Sequence, residues 1–164
     1  MKPMLTQVRR SALAGAIATL LLLCGPARAA SPGVARRLYD TGRYDAAQAE
    51  YQKLLREKPD DSRLQFNTAA AAYKHGDFAG AALGFEAALT TDNLQLQEQS
   101  YYNLGNTLYR LGEKAAAPDE KMGHWEQALK HYGSALSLDP KDADARNNQA
   151  LVQRLLEELK KVSS

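Results

Sequence analysis

The pattern of apolar and polar residues after residue 30 predicts a series of amphipathic helices. Apolar residues recur every three or four positions, and short turns rich in glycine, proline or aspartate separate these segments. Ser31-Pro32 is a predicted helix start, because proline fits the first helical position, and Asp142 is a predicted cap of the last helix. The predicted helices span 32–41, 44–57, 62–75, 78–90, 94 to about 115, 119–138 and 142–161.

The predicted helices recur in pairs with a period close to 34 residues. Gly42-Arg43-Tyr44 aligns with Gly76-Asp77-Phe78 at an offset of 34, and Gly112 follows Gly76 at an offset of 36. Each copy also contains an alanine followed four residues later by an aromatic residue, so both lie on one helix face and allow close helix packing. These pairs are Ala47 and Tyr51, Ala81 and Phe85, and Ala128 and Tyr132.

The repeated pattern resembles the tetratricopeptide repeat (TPR) family. The resemblance covers about residues 32 to 160, and Ala35 and Ala69 occupy the position of Gly105 in the first two repeats. It implies an all-α solenoid of helical hairpins, with repeats at about 30–61, 62–95 and 96–142 and a capping helix over 143–161. The residues that carry it are Leu104, Gly105, Gly112, Trp125, Ala128, Tyr132, Ala135 and Pro140.

The third repeat contains an 11-residue insertion between its two helices. Ala81 and Ala128 are 47 residues apart, against an ordinary offset here of 36. Residues 113–117 favour helix, and Pro118 is the predicted start of a second helix. We expect both helices to continue past the usual turn as a projecting hairpin. The alternative is a disordered loop, because Gly123 and its charged neighbours weaken the second helix.

Residues 1–29 form a predicted secretory signal peptide. A basic start is followed by an apolar run over 11–24 and by the cleavage pattern Ala27-Arg28-Ala29. We therefore expect an exported, periplasmic protein whose mature domain spans residues 30–164. Two alternatives are an uncleaved inner-membrane anchor and a lipid anchor on Cys24, although Leu23 stands where a small residue should precede that cysteine.

Charge and chemistry of the mature chain argue against several classes of function. Four of the 21 basic residues and none of the 19 acidic residues lie in 1–29, which leaves 17 basic residues, 19 acidic residues and a net charge of −2. This balance does not favour nucleic acid. The sequence has no phosphate-binding glycine loop or nucleophile motif, and His75, His124 and His131 lack clustered carboxylates. We expect no enzyme activity, cofactor, metal site or small-molecule substrate.

The resemblance also implies that the first helix of each repeat lines a concave groove that binds a protein segment. Tyrosine offers contact area with a polar tip, and asparagine offers both a donor and an acceptor to a peptide backbone. The alternative is that these residues only pack repeats together. Candidate groove residues are the ladders Tyr39, Tyr73 and Tyr109, then Phe66 and Tyr102, then Asn67, Asn103 and Asn148, with Asn106, Lys74 and Arg110 beside them.

The carboxylate clamp of TPR chaperone adaptors is not reproduced here. At its positions this chain has Pro32, Arg36, Gln99 and Asn103, and only Asn67 matches. We therefore do not expect a receptor for chaperone tails.

A narrower resemblance concerns residues 101–113, the inserted turn and residues 139–161. These stretches are similar to exported TPR proteins of bacterial aerotolerance (Bat) operons. That resemblance implies a membrane-associated protein partner, such as one with a von Willebrand A domain. The alternatives are an envelope or cell-wall assembly factor, and a homodimer that fills its own groove.

Overall fold

The computed structural model of this protein describes residues 30–163, without the side chains of the last two. The predicted signal peptide at 1–29 lies outside the described residues. The helices are α1 (Pro32–Asp40), α2 (Tyr44–Glu57), α3 (Ser62–His75), α4 (Phe78–Ala88), α5 (Leu94–Lys114), α6 (Pro118–Leu138) and α7 (Ala143–Ser163).

The seven helices pack in chain order as three hairpins and a final helix. The hairpins are α1 with α2, α3 with α4, and α5 with α6; α7 packs on α6. The second helix of each of the first two hairpins also packs on the first helix of the next. The predicted all-α solenoid of three repeats and a capping helix is confirmed.

Short polar side chains and two glycines fix the helix ends. Asp61, Asp77 and Asn93 accept hydrogen bonds from backbone amides in the first turns of α3, α4 and α5. Gly42 and Gly76 adopt φ of 76° and 94°, a conformation that glycine alone adopts without strain. Asp142 caps α7 through the amide of Ala145, as predicted.

The predicted helix limits differ from the structure at a few ends. Ser31 precedes α1, but its side chain makes no capping hydrogen bond, so Pro32 alone favours that start. The helix α4 ends at Ala88 instead of residue 90, and α7 runs from Ala143 to Ser163. After Leu89, the amides of Thr90 and Thr91 donate hydrogen bonds to carbonyls at the end of α4 and form a turn.

The repeated alanine and aromatic positions form the core. Ala47, Ala81 and Ala128 are fully buried, and the aromatic residues four positions later are at most 4% exposed. Close approach is needed where α5 meets α6, because a Cβ added to Gly105 would lie 2.7 Å from the ring of Tyr132. The repeat pattern therefore encodes helix contacts in the interior.

Residues 113–114 and 118–123 of the insertion are helical, which favours the helical hairpin over the disordered loop, whereas residues 115–117, predicted to favour helix, form the connection. Both α5 and α6 contain 21 residues, about 30 Å of helix each, and only residues 115–117 connect them. The extension is unequal: α5 ends two residues after Gly112, whereas α6 begins seven residues before Trp125. The indole of Trp125 packs on Gly112 and donates a hydrogen bond to the carbonyl of Tyr109 at 3.2 Å.

Within residues 30–163, no helix combines the length and the apolar character that crossing a membrane requires.

Candidate functional site

The first helices of the repeats, α1, α3 and α5, carry the candidate residues on what we call the groove face, except Asn148, which lies on α7. On α3, residues spaced three or four positions apart lie along one side of the helix. They are the candidates Phe66, Asn67, Tyr73 and Lys74, together with Arg63 and Ala70. Each of the six lines at least one of three cavities, which makes this side of α3 the common wall of the candidate site.

Two of these cavities adjoin at Phe66 and Asn67. The Arg63 cavity, of about 350 Å³, lies between α3 and the start of α5 and also includes Gln99. The Arg36 cavity, of about 190 Å³, lies between α1 and α3 and also includes Tyr39. Both have an apolar wall and an arginine but no carboxylate lining them. This arrangement suits a segment with apolar and backbone polar groups.

The tyrosine ladder packs against the second helix of its own repeat. Tyr39 lies 5.2 Å from Tyr44, and Tyr73 lies 5.3 Å from Phe78, between ring centroids. Tyr109 stacks on Trp125 at 6.2 Å. Burial raises the pKa of all three ladder tyrosines above the usual value. Each ring therefore packs within its repeat, and each remains partly exposed.

The second ladder, Phe66 and Tyr102, also packs against aromatic residues in the second helix of its own repeat. Phe66 meets Phe85 edge to face at 5.3 Å, and Tyr102 lies 6.2 Å from Tyr132. Phe66 also lines both the Arg63 and the Arg36 cavity, so it combines packing with a solvent-facing edge.

The asparagines divide into bonded and unbonded members. Asn106 accepts hydrogen bonds from the Tyr132 hydroxyl at 2.8 Å and from the Asn148 amide at 2.9 Å. Asn148 also donates to the Tyr102 hydroxyl at 3.3 Å. We call these four side chains the tyrosine–asparagine network. Burial raises the pKa of Tyr132 far above its usual value, so the hydroxyl stays protonated and donates.

Asn67 and Asn103 occupy equivalent positions, 36 residues apart, but have different partners. The amide of Asn103 donates to the Gln99 carbonyl of its own helix at 2.7 Å. The side chain of Asn67 makes no hydrogen bond to any residue within 30–163, and it lines both adjoining cavities. Its donor and acceptor are therefore available to a bound segment.

Lys74 and Arg110 line a third cavity, of about 390 Å³, which we call the Lys114 cavity. Arg110 forms an ion pair with Glu113 at 2.8 Å, and Glu113 also accepts from the Tyr109 hydroxyl at 2.9 Å. The cavity lies beside the turn between α3 and α4, where Gly76 has positive φ.

His124 and His131 lie seven residues apart on α6 and line one cavity of about 410 Å³ outside the groove face. Burial lowers the pKa of His131, whose ring stacks on Tyr101 at 5.9 Å. Residues 30–163 contain no group of three metal-ligating side chains.

Several residues that line the groove-face cavities are not among the predicted groove residues. Arg36 and Gln99 are named above only as clamp positions, and Arg63 and Lys114 are not predicted. The spacing of Arg63 from Phe66 and Asn67 on one helix face, and the position of Lys114 in the insertion, could have indicated them. Asn148 and Asn106 are predicted groove residues, whereas the structure bonds them to each other.

Comparison with solved structures gives the same architecture. A TPR protein of Thermus thermophilus, TTC0263, is 26% identical, with a TM-score of 0.66 over 79% of this chain and 66% of that one. The first TPR domain of Spaghetti (RPAP3), bound to an HSP90 peptide, is 22% identical, with a TM-score of 0.65 over 76% of this chain and 89% of that one.

A curated relative is the Tetratricopeptide repeat and J domain-containing co-chaperone DNJ1 of Cryptococcus neoformans, 28% identical over 105 residues. The match covers 64% of this chain, which spans about a fifth of that relative's length. Two family models, described as Tetratricopeptide repeat and TPR repeat, match residues 35–95 and 121–154. Together they cover more than half of the sequence, and the chain belongs to the tetratricopeptide repeat proteins.

Proposed function

We propose that this protein is a periplasmic, non-catalytic scaffold that binds an extended segment of a partner protein on its groove face. The observation that carries the proposal is the pair of cavities that adjoin at Phe66 and Asn67. An amide without an internal partner, beside an aromatic edge, can bind the backbone of a segment and cover its side chains.

The comparisons support peptide binding as a class of function. The domain of Spaghetti, which shares this fold, is bound to an HSP90 peptide. This chain differs at the clamp positions, where it has Pro32, Arg36, Gln99 and Asn103. We therefore propose a different segment, from a membrane-associated partner such as a protein with a von Willebrand A domain.

Photo-crosslinking in cells tests the groove. The photo-reactive residue p-benzoylphenylalanine would replace Phe66 in the full chain, alone and combined with Asn67→Ala or Asn103→Ala. We expect one main crosslinked protein, lost with Asn67→Ala and retained with Asn103→Ala, because Asn103 is bonded within its own helix whereas Asn67 makes no hydrogen bond within residues 30–163. Equal capture by all three proteins would refute the groove assignment.

The same experiment separates the alternatives. Capture of a second copy, together with a dimer mass in light scattering, would favour the homodimer that fills its own groove. Capture of an envelope or cell-wall enzyme would favour the assembly factor.

Export is tested by the mass of the mature chain. We expect a periplasmic protein that begins at Ala30, because cleavage should follow Ala27-Arg28-Ala29. A cytoplasmic protein of full mass would refute export. A membrane-bound protein that retains 1–29 would favour the uncleaved anchor, and acylation of Cys24 would favour the lipid anchor.

A further inference from the structure

The insertion brings two cations over an aromatic ring of the preceding repeat. Lys114, the last residue of α5, holds its Nζ atom 4.5 Å from the centroid of Phe78. The guanidinium carbon of Arg110 lies 5.4 Å from the same centroid. Lys114 follows Gly112 by two residues. The corresponding residue in repeat two is Phe78, which is already the first residue of α4. The cation at this place therefore depends on the continuation of α5 past Gly112.

Lys74 adds a third cation, and no carboxylate lines the Lys114 cavity. Glu113 pairs with Arg110 and balances its charge. Neither Lys74 nor Lys114 forms an ion pair with any residue within 30–163. Two ammonium groups, each with three donors, therefore border one opening of about 390 Å³ without an anion of their own.

Aromatic side chains strengthen the field of these cations. Phe78 is 7% exposed and forms an apolar floor, and Tyr73 packs on it. An apolar wall beside a charge reduces screening by solvent. The electrostatic attraction between these cations and a carboxylate in the cavity is therefore stronger than it would be on an open surface. The contact with Phe78 already restricts the Lys114 side chain, so the entropic cost of ordering it on binding is smaller.

The Lys114 cavity continues the groove face along α3. Asn67 and Lys74 are seven residues apart on that helix, which corresponds to about 10 Å along its axis. An extended peptide covers that distance with about three residues. A segment bound at Asn67 can therefore place a side chain at Lys74 and Lys114 three positions further along its own chain.

We propose that the Lys114 cavity binds a carboxylate of the partner segment, so that the groove selects an acidic segment with Asp or Glu about three residues from the residue bound at Asn67. This inference rests on the proposed function. It gives the insertion a role, since the extension of α5 supplies Lys114, one of the two ammonium groups that lack an ion pair within residues 30–163. The clamp positions Pro32, Arg36, Gln99 and Asn103 take no part in it.

Peptides with and without charge test the inference. Blocked hexaglutamate and hexaglutamine would be titrated into the isotope-labelled full chain and followed by NMR. We expect hexaglutamate to shift the amides of Lys74, Arg110 and Lys114 to saturation, and hexaglutamine to leave them unchanged. Absence of saturable shifts at these amides with hexaglutamate would overturn the proposal.

Matched variants separate a specific site from overall charge. Lys74→Gln/Lys114→Gln should weaken hexaglutamate binding by about tenfold, because two charge-assisted hydrogen bonds are lost. Lys130→Gln/Lys141→Gln removes the same charge at positions elsewhere and should change the dissociation constant less than about twofold. Equal weakening by both pairs would overturn the proposal, as would inorganic phosphate that saturates the same amides as tightly as hexaglutamate.

Failure here is distinguishable from failure of the groove itself. If hexaglutamate does not bind but crosslinking at residue 66 still depends on Asn67, the scaffold function stands and the acidic preference is wrong. If hexaglutamate binds as expected but crosslinking at residue 66 does not depend on Asn67, the Lys114 cavity binds carboxylates and the groove assignment is wrong.

Discussion

The first helices of repeats two and three match at an offset of 36 residues, but their groove faces differ in which side chains are available. On α3, Asn67 has no internal partner and lies between two cavities. On α5, the equivalent Asn103 donates to the Gln99 carbonyl of its own helix. Asn106, three residues further along α5, is bonded to Tyr132 and to Asn148 of the final helix. The asparagine at the repeated position is therefore available in repeat two and bonded within its own helix in repeat three.

The turns of the same two repeats differ as well. Repeat two turns at Gly76 within two residues, whereas repeat three continues through two longer helices. The longer helices bury Trp125 against Gly112 and carry Lys114 to repeat two. We expect repeat three to be the more tightly built of the two and repeat two to supply the accessible groove.

The largest expected effect concerns the base of the hairpin. Trp125→Ala should lower the free energy of unfolding by about 3–5 kcal/mol, because it removes a buried indole and its hydrogen bond to Tyr109. Tyr44→Ala, at the equivalent position of repeat one, should cost about 2 kcal/mol, since Tyr44 is half-buried. Urea denaturation measures both. Equal losses would show that the hairpin does not tighten repeat three.

A smaller effect is expected from the tyrosine–asparagine network. Tyr132→Phe should lower the free energy of unfolding by about 1 kcal/mol, because one buried hydrogen bond to Asn106 is lost. Tyr51→Phe changes the equivalent residue of repeat one, whose hydroxyl makes no hydrogen bond within residues 30–163, and should have an effect below about 0.5 kcal/mol. A larger loss for Tyr51→Phe would contradict the contrast between the repeats.

The stability difference between the native protein and Tyr132→Phe should narrow in alkali. Burial raises the folded-state pKa of Tyr132 above its ordinary value near 10. Its contribution is therefore fully present below that ordinary value and is lost as the pH rises towards the folded-state pKa. Urea denaturation at about pH 8 and about pH 11 would measure this. A difference that does not change between them would contradict the assignment.

The smallest expected effect is a gain. Gly123→Ala should raise the free energy of unfolding by about 0.5–1 kcal/mol, because Gly123 is helical and a Cβ there meets no atom within 4 Å. Gly76→Ala should instead destabilise by about 1 kcal/mol, since its φ of 94° strains any other residue. Thermal and urea unfolding measure both. A loss with Gly123→Ala would argue against a well-formed start of α6.

Much of the fold follows from local sequence signals. The helices from Tyr44 to Glu57 and from Ser62 to His75 have the predicted limits, because apolar periodicity agrees with Gly42 before the first helix and with Asp61 and Gly76 at the ends of the second. The start of α6 within the insertion follows from Pro118, whereas the alanines at 115–117, predicted to favour helix, form the connection. The predicted end of α4 is wrong by two residues, since Leu89 continues the apolar pattern and no glycine or proline follows it closely.

The candidate site is less predictable, because spacing cannot give hydrogen-bond partners. The ladder of Asn67, Asn103 and Asn148 is regular in sequence, yet each member has a different environment. The sequence places Lys114 only in the insertion, and its contact with Phe78 depends on how α5 lies against the preceding hairpin.

The amino-acid sequence by itself determined the helices, their pairing into repeats and the helix start at Pro118 within the insertion, because these depend on local propensity and on one repeated packing pattern. Only the tertiary structure decided which repeated side chains remain available and which cations converge. Those properties depend on neighbours distant along the chain: α7 binds Asn106, and the end of α5 reaches Phe78. Distance in space, set by packing of whole helices, is not encoded in the spacing of residues within one repeat.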